Sequence, residues 1–523
     1  MTSYDAIVIG AGHNGLTAAV TLAKSGRRVL LVEAAHEPGG MARNVELATG
    51  FRQSRVAHVL NRLNPEVIET LELVKHGLTL HTSAVPTVCL SDNGDHLVMQ
   101  GAYGEKSDGL TADDASAWRE LRERLLLQST LLKRFINSTP IQPGAVEWST
   151  RILAAKTALK LKLAGAEELR QFLRMALMCV ADVADEALTD DRLKGLLSFD
   201  ATLGIHLGPR SPTSLLGLYY RLTGEADGQP GAQVVPEGGM GAVIEAFQRA
   251  SESAGVTLRT GCEVRKVLVD NGRAVGVSTT QGEEIHAPCV VSAISPVTTF
   301  LTLVGPRELD TGFVRDIRSI RTRGNVSRLN LALDRPPEIN GLRANLRSAR
   351  MVYAPSIDHV ERAFNPTKYG ELSEALCFEL IVPSESDAAS APAGAATASI
   401  SVQNTPYDLK AGWSKASKKQ LRKSLIRQLE RLAPGIGNSI VASELLTPVD
   451  IESEYLAPGG HWHHGELQID RMYSLRPVFG AANYRGPLVG LYICGAGTHP
   501  GGGMCGASGL NAARQVIADT KEA

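Results

Sequence analysis

At 523 residues the chain is about three times the length of an ordinary single domain, so more than one domain is expected. Lys and Arg number 54 against 55 Asp and Glu, a net charge of -1, which excludes the basic excess of a nucleic-acid-binding protein. Hydrophobic residues at 43% supply a large core, and seven cysteines without a CxxC exclude both a disulfide framework and a redox-active dithiol.

Only Met1 to Asp5 precede the first apolar run, and no uninterrupted apolar stretch reaches the roughly 18 residues of a membrane-spanning helix. A cytoplasmic protein of bacterial type is expected, without signal or transit peptide. Residues 6–9 (AIVI) have the continuous apolar character of a buried parallel strand. They run into Gly10-Ala11-Gly12-His13-Asn14-Gly15, then a helix over about 16–25, a second strand over 29–32, and Glu33 at its end. In this context Gly10 permits the tight turn, Gly12 lets backbone approach a pyrophosphate, and Gly15 lets helix and strand pack closely. The helix N-terminus offers amides and positive potential to phosphates, and Glu33 can accept from ribose hydroxyls.

Helical spacing is expected over 115–135 and 150–195. The second stretch includes a basic run with Lys156, Lys160, Lys162, Arg170 and Arg174, which reads as a solvated helix face, a peripheral membrane contact or a homo-oligomer face. Gly238 to Gly241 precede a helix over 242–254, but the segment before them is a poor buried strand, so no second nucleotide-binding unit is expected. Strands follow at 256–260, 262–270, 274–279 and 290–294, then at 326–333, 376–382 and 397–403, with a surface loop over 384–397 and a helix near 416–432. Residues 491–494 form a last strand, which enters a glycine-rich loop over 495–506 and a closing helix to about 519.

Glu33 is followed by Ala34-Ala35-His36-Glu37-Pro38-Gly39-Gly40, and a glycine pair at this spacing resembles the FAD-binding signature of glutathione-reductase-type and amine-oxidase-type flavoproteins. The segment LYICGAGTHPGGGMCGASGLNAA, residues 491–513, resembles the C-terminal flavin-binding motif of the phytoene-desaturase family. Gly39-Gly40-Met41-Ala42, Gly50-Phe51, Pro236 to Gly241, Gly324 to Asn330 and Arg476-Pro477 match the same amine-oxidase-like branch. Together these segments most resemble the subgroup of pyridine-nucleotide-disulphide-oxidoreductase-domain, phytoene-dehydrogenase-related flavoproteins.

The resemblance implies an α/β fold, a Rossmann-like FAD-binding domain (1–85, 225–300 and 480–523) interleaved with a mixed α+β substrate domain (86–224 and 301–479, helical at about 110–200). It implies non-covalent FAD held by Gly10, Gly12, His13, Asn14, Gly15, Glu33, Ala34, Gly40, Met41, Ala42, Val264 beside the adenine, Gly495, Ala496, Gly503, Met504 and Cys505. Met41 departs from the arginine of many relatives, with Arg43 as a substitute, and Ala496 stands where broader flavoproteins carry an acid. A covalent flavin link through Cys505 is not expected, since a cysteine among glycines serves as a small buried residue.

On the substrate side, Arg328 occupies the place of a lysine near flavin N5 in amine-oxidase relatives, where it either orients a water or a reduced oxygen species or forms a strand ion pair. His58 is a candidate base or shaping residue, and His463 a third catalytic candidate. Trp462, Tyr473 and Arg476 are expected on the substrate cavity. The run His461-Trp462-His463-His464 lacks a cysteine or carboxylate to complete a ligand set, so no metal is expected. The implied activity is hydride transfer from an organic, lipophilic or polyene-like small-molecule substrate to flavin N5, with oxygen or a quinone as acceptor. The alternatives are a peroxide-producing amine oxidase and a flavin-bound interaction protein with little turnover. Aromatic residues at only 5% favour the first over an aromatic amine cage.

Overall fold

The computed structural model describes residues 4–80, 84–136, 138–140, 165–226 and 228–522. A parallel five-stranded sheet orders Thr257–Arg259, β2 (Val29–Val32), β1 (Ala6–Ile9), Val290–Ser292 and Leu491–Ile493. Every residue of β1 and β2 is buried, which explains their unbroken apolar sequences. On one face the sheet is covered by α1 (His13–Lys24), the helix Gly239–Ser253 and the C-terminal helix Ala507–Glu522, with Leu16, Val20, Phe247 and Val516 in a common core. The other face packs Ile7, Leu30 and Ile493 against the three-stranded sheet Val264–Asp270, Arg273–Thr279 and Glu284–His286.

The remaining architecture is an eight-stranded mixed sheet. Its order is Ile440–Leu446, Val326–Leu333, Ala396–Gln403, Cys377–Ile381, Arg350–Tyr353, Thr87–Cys89, Leu97–Gln100 and Lys106–Asp108, with the Arg350 and Thr87 strands parallel and the other pairs antiparallel. Helices Ala112–Ile136, Val180–Ala187, Asp191–Thr202 and Leu215–Leu222 pack on one face, and Lys415–Leu432 supplies Leu421, Leu425 and Leu429 to a core on the other.

Several details differ from the sequence expectation. The helical spacing over 150–195 is realised, where it is described, as three separate helices. Ala166–Met175 ends before a new start at Cys179, whose Sγ accepts from Asp182 N, and Asp190 caps a third helix by accepting from Arg192 N and Leu193 N. Lys156, Lys160 and Lys162 lie outside the described residues; Arg170 and Arg174 pair with Glu167 and Glu186. Residues 384–395 lie at the surface as expected, but as a structured segment. They hold 3-10 turns at Pro383–Glu385 and Ala388–Ser390, bury Ser390, and enter the strand at Ala396. The helix expected from 242 begins at Gly239, and its first amides are taken by the hairpin Asn44–Ala48/Phe51–Ser54: Met240 N donates to Ser54 Oγ (2.8 Å) and Gly241 N to Asn44 Oδ1 (3.0 Å). A Cβ on Gly241 would meet the Asn44 amide at 2.5 Å, so this glycine run serves helix–hairpin packing.

The turn after β1 differs in kind. A Cβ on Gly15 would fall 1.9 Å from the Gly10 carbonyl oxygen, whereas one on Gly12 would meet nothing within 4 Å. Gly15→Ala should therefore force α1 away from β1 and cost about 1–3 kcal/mol of stability, while Gly12→Ala leaves the melting midpoint of ligand-free protein unchanged. Thermal unfolding of both variants without added ligand checks this; equal losses in both would refute it.

Candidate functional site

One cavity of about 1080 Å³ runs from the carboxyl ends of β1 and β2 to the eight-stranded sheet. This slightly exceeds the roughly 300–1,000 Å³ of ordinary ligand sites, and the crevice beyond parallel-strand ends is where α/β sheets bind ligands. Of the residues the sequence assigned to cofactor binding, Gly10, Gly12, His13, Asn14, Gly15, Glu33, Ala34, Gly40, Met41, Ala42, Val264, Ala496, Gly503 and Met504 line it. Gly495 and Cys505 do not. A Cβ on Gly495 would meet the Ile294 carbonyl at 2.5 Å, and Cys505 is buried with its carbonyl accepting from Asn64 N.

The near end is built from backbone. The Glu33 carboxylate accepts from Ala11 N (2.7 Å) and Ala35 N (3.0 Å), which holds it against the turn. Beside it, the N-terminus of α1 presents amides that no intrahelical bond uses. Asn14 is buried on the lining, and among the described residues its Oδ1 has no hydrogen-bond partner. An orphaned buried oxygen, a helix N-terminus and a ring of glycines fit an extended dinucleotide with a pyrophosphate at α1 and a ribose at Glu33.

The far end is built from charged side chains buried among strands. His58 lines the cavity, and its Nε2 lies 2.6 Å from Glu379 Oε1. Burial alone would raise the Glu379 carboxyl, but the Arg350 guanidinium outweighs it and, with His58, holds it well below the usual carboxylate range. An ionised Glu379 can only accept, so the His58 Nε2–H donates, and among the described residues His58 Nδ1 has no hydrogen-bond partner. Burial, reinforced by the neighbouring Arg328 charge, lowers the His58 pKa to about 4 against an ordinary 6.5. Arg350 also donates from Nη2 to Asp200 Oδ1 (2.6 Å), and Arg221 Nε lies 3.1 Å from Asp200 Oδ2.

Arg328 stands behind this wall. It is 1% exposed and donates to the Ser399 and Ser401 hydroxyls, with Nη1 3.1 Å from His58 Nε2. It forms no direct ion pair among the described residues, and burial lowers its pKa to about 9.

His463 and Trp462 line the cavity, seated by glycines: a Cβ on Gly502 would fall 1.5 Å from His463 Nδ1, and one on Gly204 would fall 2.4 Å from Trp462 Nε1. Burial holds His463 well below its ordinary pKa. Arg476 and Tyr473 stand outside the lining. Arg476 is consumed by carbonyls, donating to those of Glu466 (2.8 Å), His463 (2.7 Å) and Ala496 (2.8 Å), and so ties the 461–476 loop to the C-terminal glycine loop. The Tyr473 ring packs edge-on against Phe135 and His499.

The residues that sequence reasoning missed are Glu379, Asp200, Arg350, Arg221 and Arg62. Two carried a signal. Glu379 is a lone acid inside the apolar run CFELI, and Arg350 heads the strand RMVY. A charge inside a buried strand pattern needs a partner, and the partner is informative. Asp200, Arg221 and Arg62 had no such mark.

The description "Flavin containing amine oxidoreductase" fits residues 15–517 of the chain. The mouse protein "Pyridine nucleotide-disulfide oxidoreductase domain-containing protein 2" is 33% identical, over 99% of this chain and 94% of its own. The neurosporene-forming phytoene desaturase of Rhodobacter capsulatus is 27% identical, over 95% of this chain and 91% of its own. In three dimensions, cyclohexylamine oxidase from Brevibacterium oxydans superposes with a TM-score of 0.61 at 15% identity, covering 100% of both chains, which shows a shared fold. With its family model spanning nearly the whole chain, this protein belongs to the flavin-containing amine oxidoreductases, with FAD as its cofactor.

Proposed function

We propose that this oxidoreductase dehydrogenates an organic substrate with an apolar body, in the manner of a desaturase, and holds FAD without a covalent bond. The observation that carries the reading is His58, a neutral imidazole donating from Nε2 to an ionised Glu379, with Nδ1 unpartnered, on the wall of the cavity that begins at the dinucleotide turn. FAD, when bound, would supply the two-electron acceptor for a substrate hydrogen that leaves with its bonding pair, and oxygen or a quinone would be the terminal acceptor. His58 Nδ1 takes the proton from the adjacent substrate atom, and the electrons of that bond form the new double bond. Glu379 fixes the imidazole's tautomer and stabilises the charge it gains, Arg350 holds Glu379, and Trp462 and Leu467 wall the cavity against water.

Amine oxidation is the weaker reading, because an ammonium substrate would enter beside Arg62, which has no carboxylate within ion-pair distance among the described residues. Anaerobic mixing of holoenzyme with matched alkane-type and primary-amine donors separates the two. Bleaching of the visible flavin band by the first class alone is expected, and bleaching only by amines would overturn the proposal. Acid precipitation should release all the flavin from both the native protein and Cys505→Ser.

His58→Gln should slow flavin reduction roughly a hundred- to ten-thousand-fold, the usual worth of a positioned general base. The pH profile of kcat/KM should stay flat down to an acidic limb near 4, the value of His58, and the residual activity of the variant should lack that limb. A native limb near 6.5 would refute a buried neutral base.

Stability has its own pH dependence. Burial depresses His13, His58 and His499 to about 4, while their unfolded values lie near 6.5. The unfolded chain therefore binds protons first as pH falls, so stability is fully present above 6.5 and declines progressively toward 4. Thermal midpoints across that window check the sign; a rising midpoint on acidification would contradict it.

A further inference from the structure

The far wall of the cavity carries more positive charge than it can neutralise. Arg221, Asp200, Arg350 and Glu379 form a contiguous row in which two guanidiniums meet two carboxylates, through contacts of 3.1 Å and 2.6 Å at Asp200 and a direct Arg350–Glu379 pair. That part is balanced. His58, neutral, continues the row to Arg328, whose contacts are hydroxyls and the imidazole.

Arg62 is the second surplus cation. It is 8% exposed and lines the cavity, donates from Nη1 to the Tyr220 carbonyl (2.5 Å), lies 3.7 Å over the Tyr220 ring, and leaves Nε buried without a hydrogen-bond partner. Among the described residues neither Arg62 nor Arg328 has a carboxylate within ion-pair distance. A buried guanidinium without an anion is costly, because desolvation is not offset by pairing. The bidentate fork of arginine is also suited to a planar anion.

We propose that the substrate carries a carboxylate at one end of its apolar body, held by Arg62 with Arg221 and supplying the charge this wall lacks. This inference rests on the dehydrogenation reading above and names its substrate class. Arg221 lines the same cavity from the helix Leu215–Leu222, next to Tyr220; Asp200 already meets its charge, so Arg62 is the unpaired cation and Arg221 adds further N–H donors. Orienting the acid there leaves the apolar remainder to run along Leu203, Ile205 and Trp462.

Binding, read without turnover, tests it. Octanoate, octanol and octylamine are titrated into FAD-loaded protein, and perturbation of the flavin spectrum gives each affinity. Octanoate should bind at least about tenfold more tightly than octanol, the scale of one charge-assisted hydrogen-bond pair, and octylamine weakest. Arg62→Gln should abolish the preference, Arg221→Gln should reduce it, and Arg221→Lys should restore part of it, with FAD content and thermal midpoint monitored in each.

Equal affinity for octanoate and octanol in the native protein would overturn the proposal, even if no variant folds. So would an Arg62→Gln variant that shifts the flavin reduction potential but keeps the octanoate preference, since the surplus charge would then serve only the cofactor. Because the readout is binding, a protein that prefers octanoate yet is reduced by no donor would sink the dehydrogenation reading and leave the carboxylate site standing.

Discussion

The contact on which the rest of the structure depends is that between the Gly10 carbonyl and Gly15. A side chain of even one carbon at residue 15 would overlap that oxygen, so α1 can lie against the end of β1 only because residue 15 is glycine. That packing brings the helix N-terminus to the end of the sheet and holds Glu33 beside it through the Ala11 amide. The same α1 packs against the C-terminal helix: Gly509 sits where a Cβ would meet the Asn14 carbonyl at 2.1 Å. The two ends of the chain are thus locked together by glycines, and the cavity opens where they meet.

Against this backbone-built end stands an end made from side chains. His58, Glu379, Arg350, Asp200 and Arg328 come from a loop, three strands and a helix, and converge because alternate residues of adjacent strands share a sheet face. Glu379 pairs in register with Ser401, and Ser401 with Arg328, so the acid, the hydroxyl and the guanidinium lie side by side across the sheet. Burial among these strands, with the Arg328 charge beside it, keeps His58 neutral, and Arg328 is left without a carboxylate partner among the described residues. The two ends differ accordingly: one offers amides and a helix dipole suited to a phosphate-bearing cofactor, and the other carries the buried charges on which the proposed proton transfer and substrate selection rest.

Much of the first end was legible in the sequence. Glycine spacing, a buried-strand pattern and a terminal acid are local properties, and each has one dominant structural meaning at that spacing. The glycine-rich segment near the C-terminus was equally readable, because close backbone approach leaves a compositional mark. The run at Gly238 to Gly241 shows how far local marks reach. It resembled a nucleotide turn only in composition, and Asn44 and Ser54 occupy the amides that a phosphate would need.

The second end was only half legible. His58 and Arg328 could be singled out by their positions relative to recognisable motifs, but not their shared partner Glu379, which lies 321 residues from His58 along the chain. Arg476 and Tyr473 were placed on the cavity by proximity to it in sequence, yet a guanidinium surrounded by free carbonyls is drawn to them, and a ring beside Phe135 and His499 packs there. The sequence by itself determined the family, the cofactor and the glycine turn at the end of β1, since these depend on backbone conformation at contiguous residues. The charge balance of the substrate wall was decided by tertiary structure alone, because pairing between buried charges depends on which strands become neighbours.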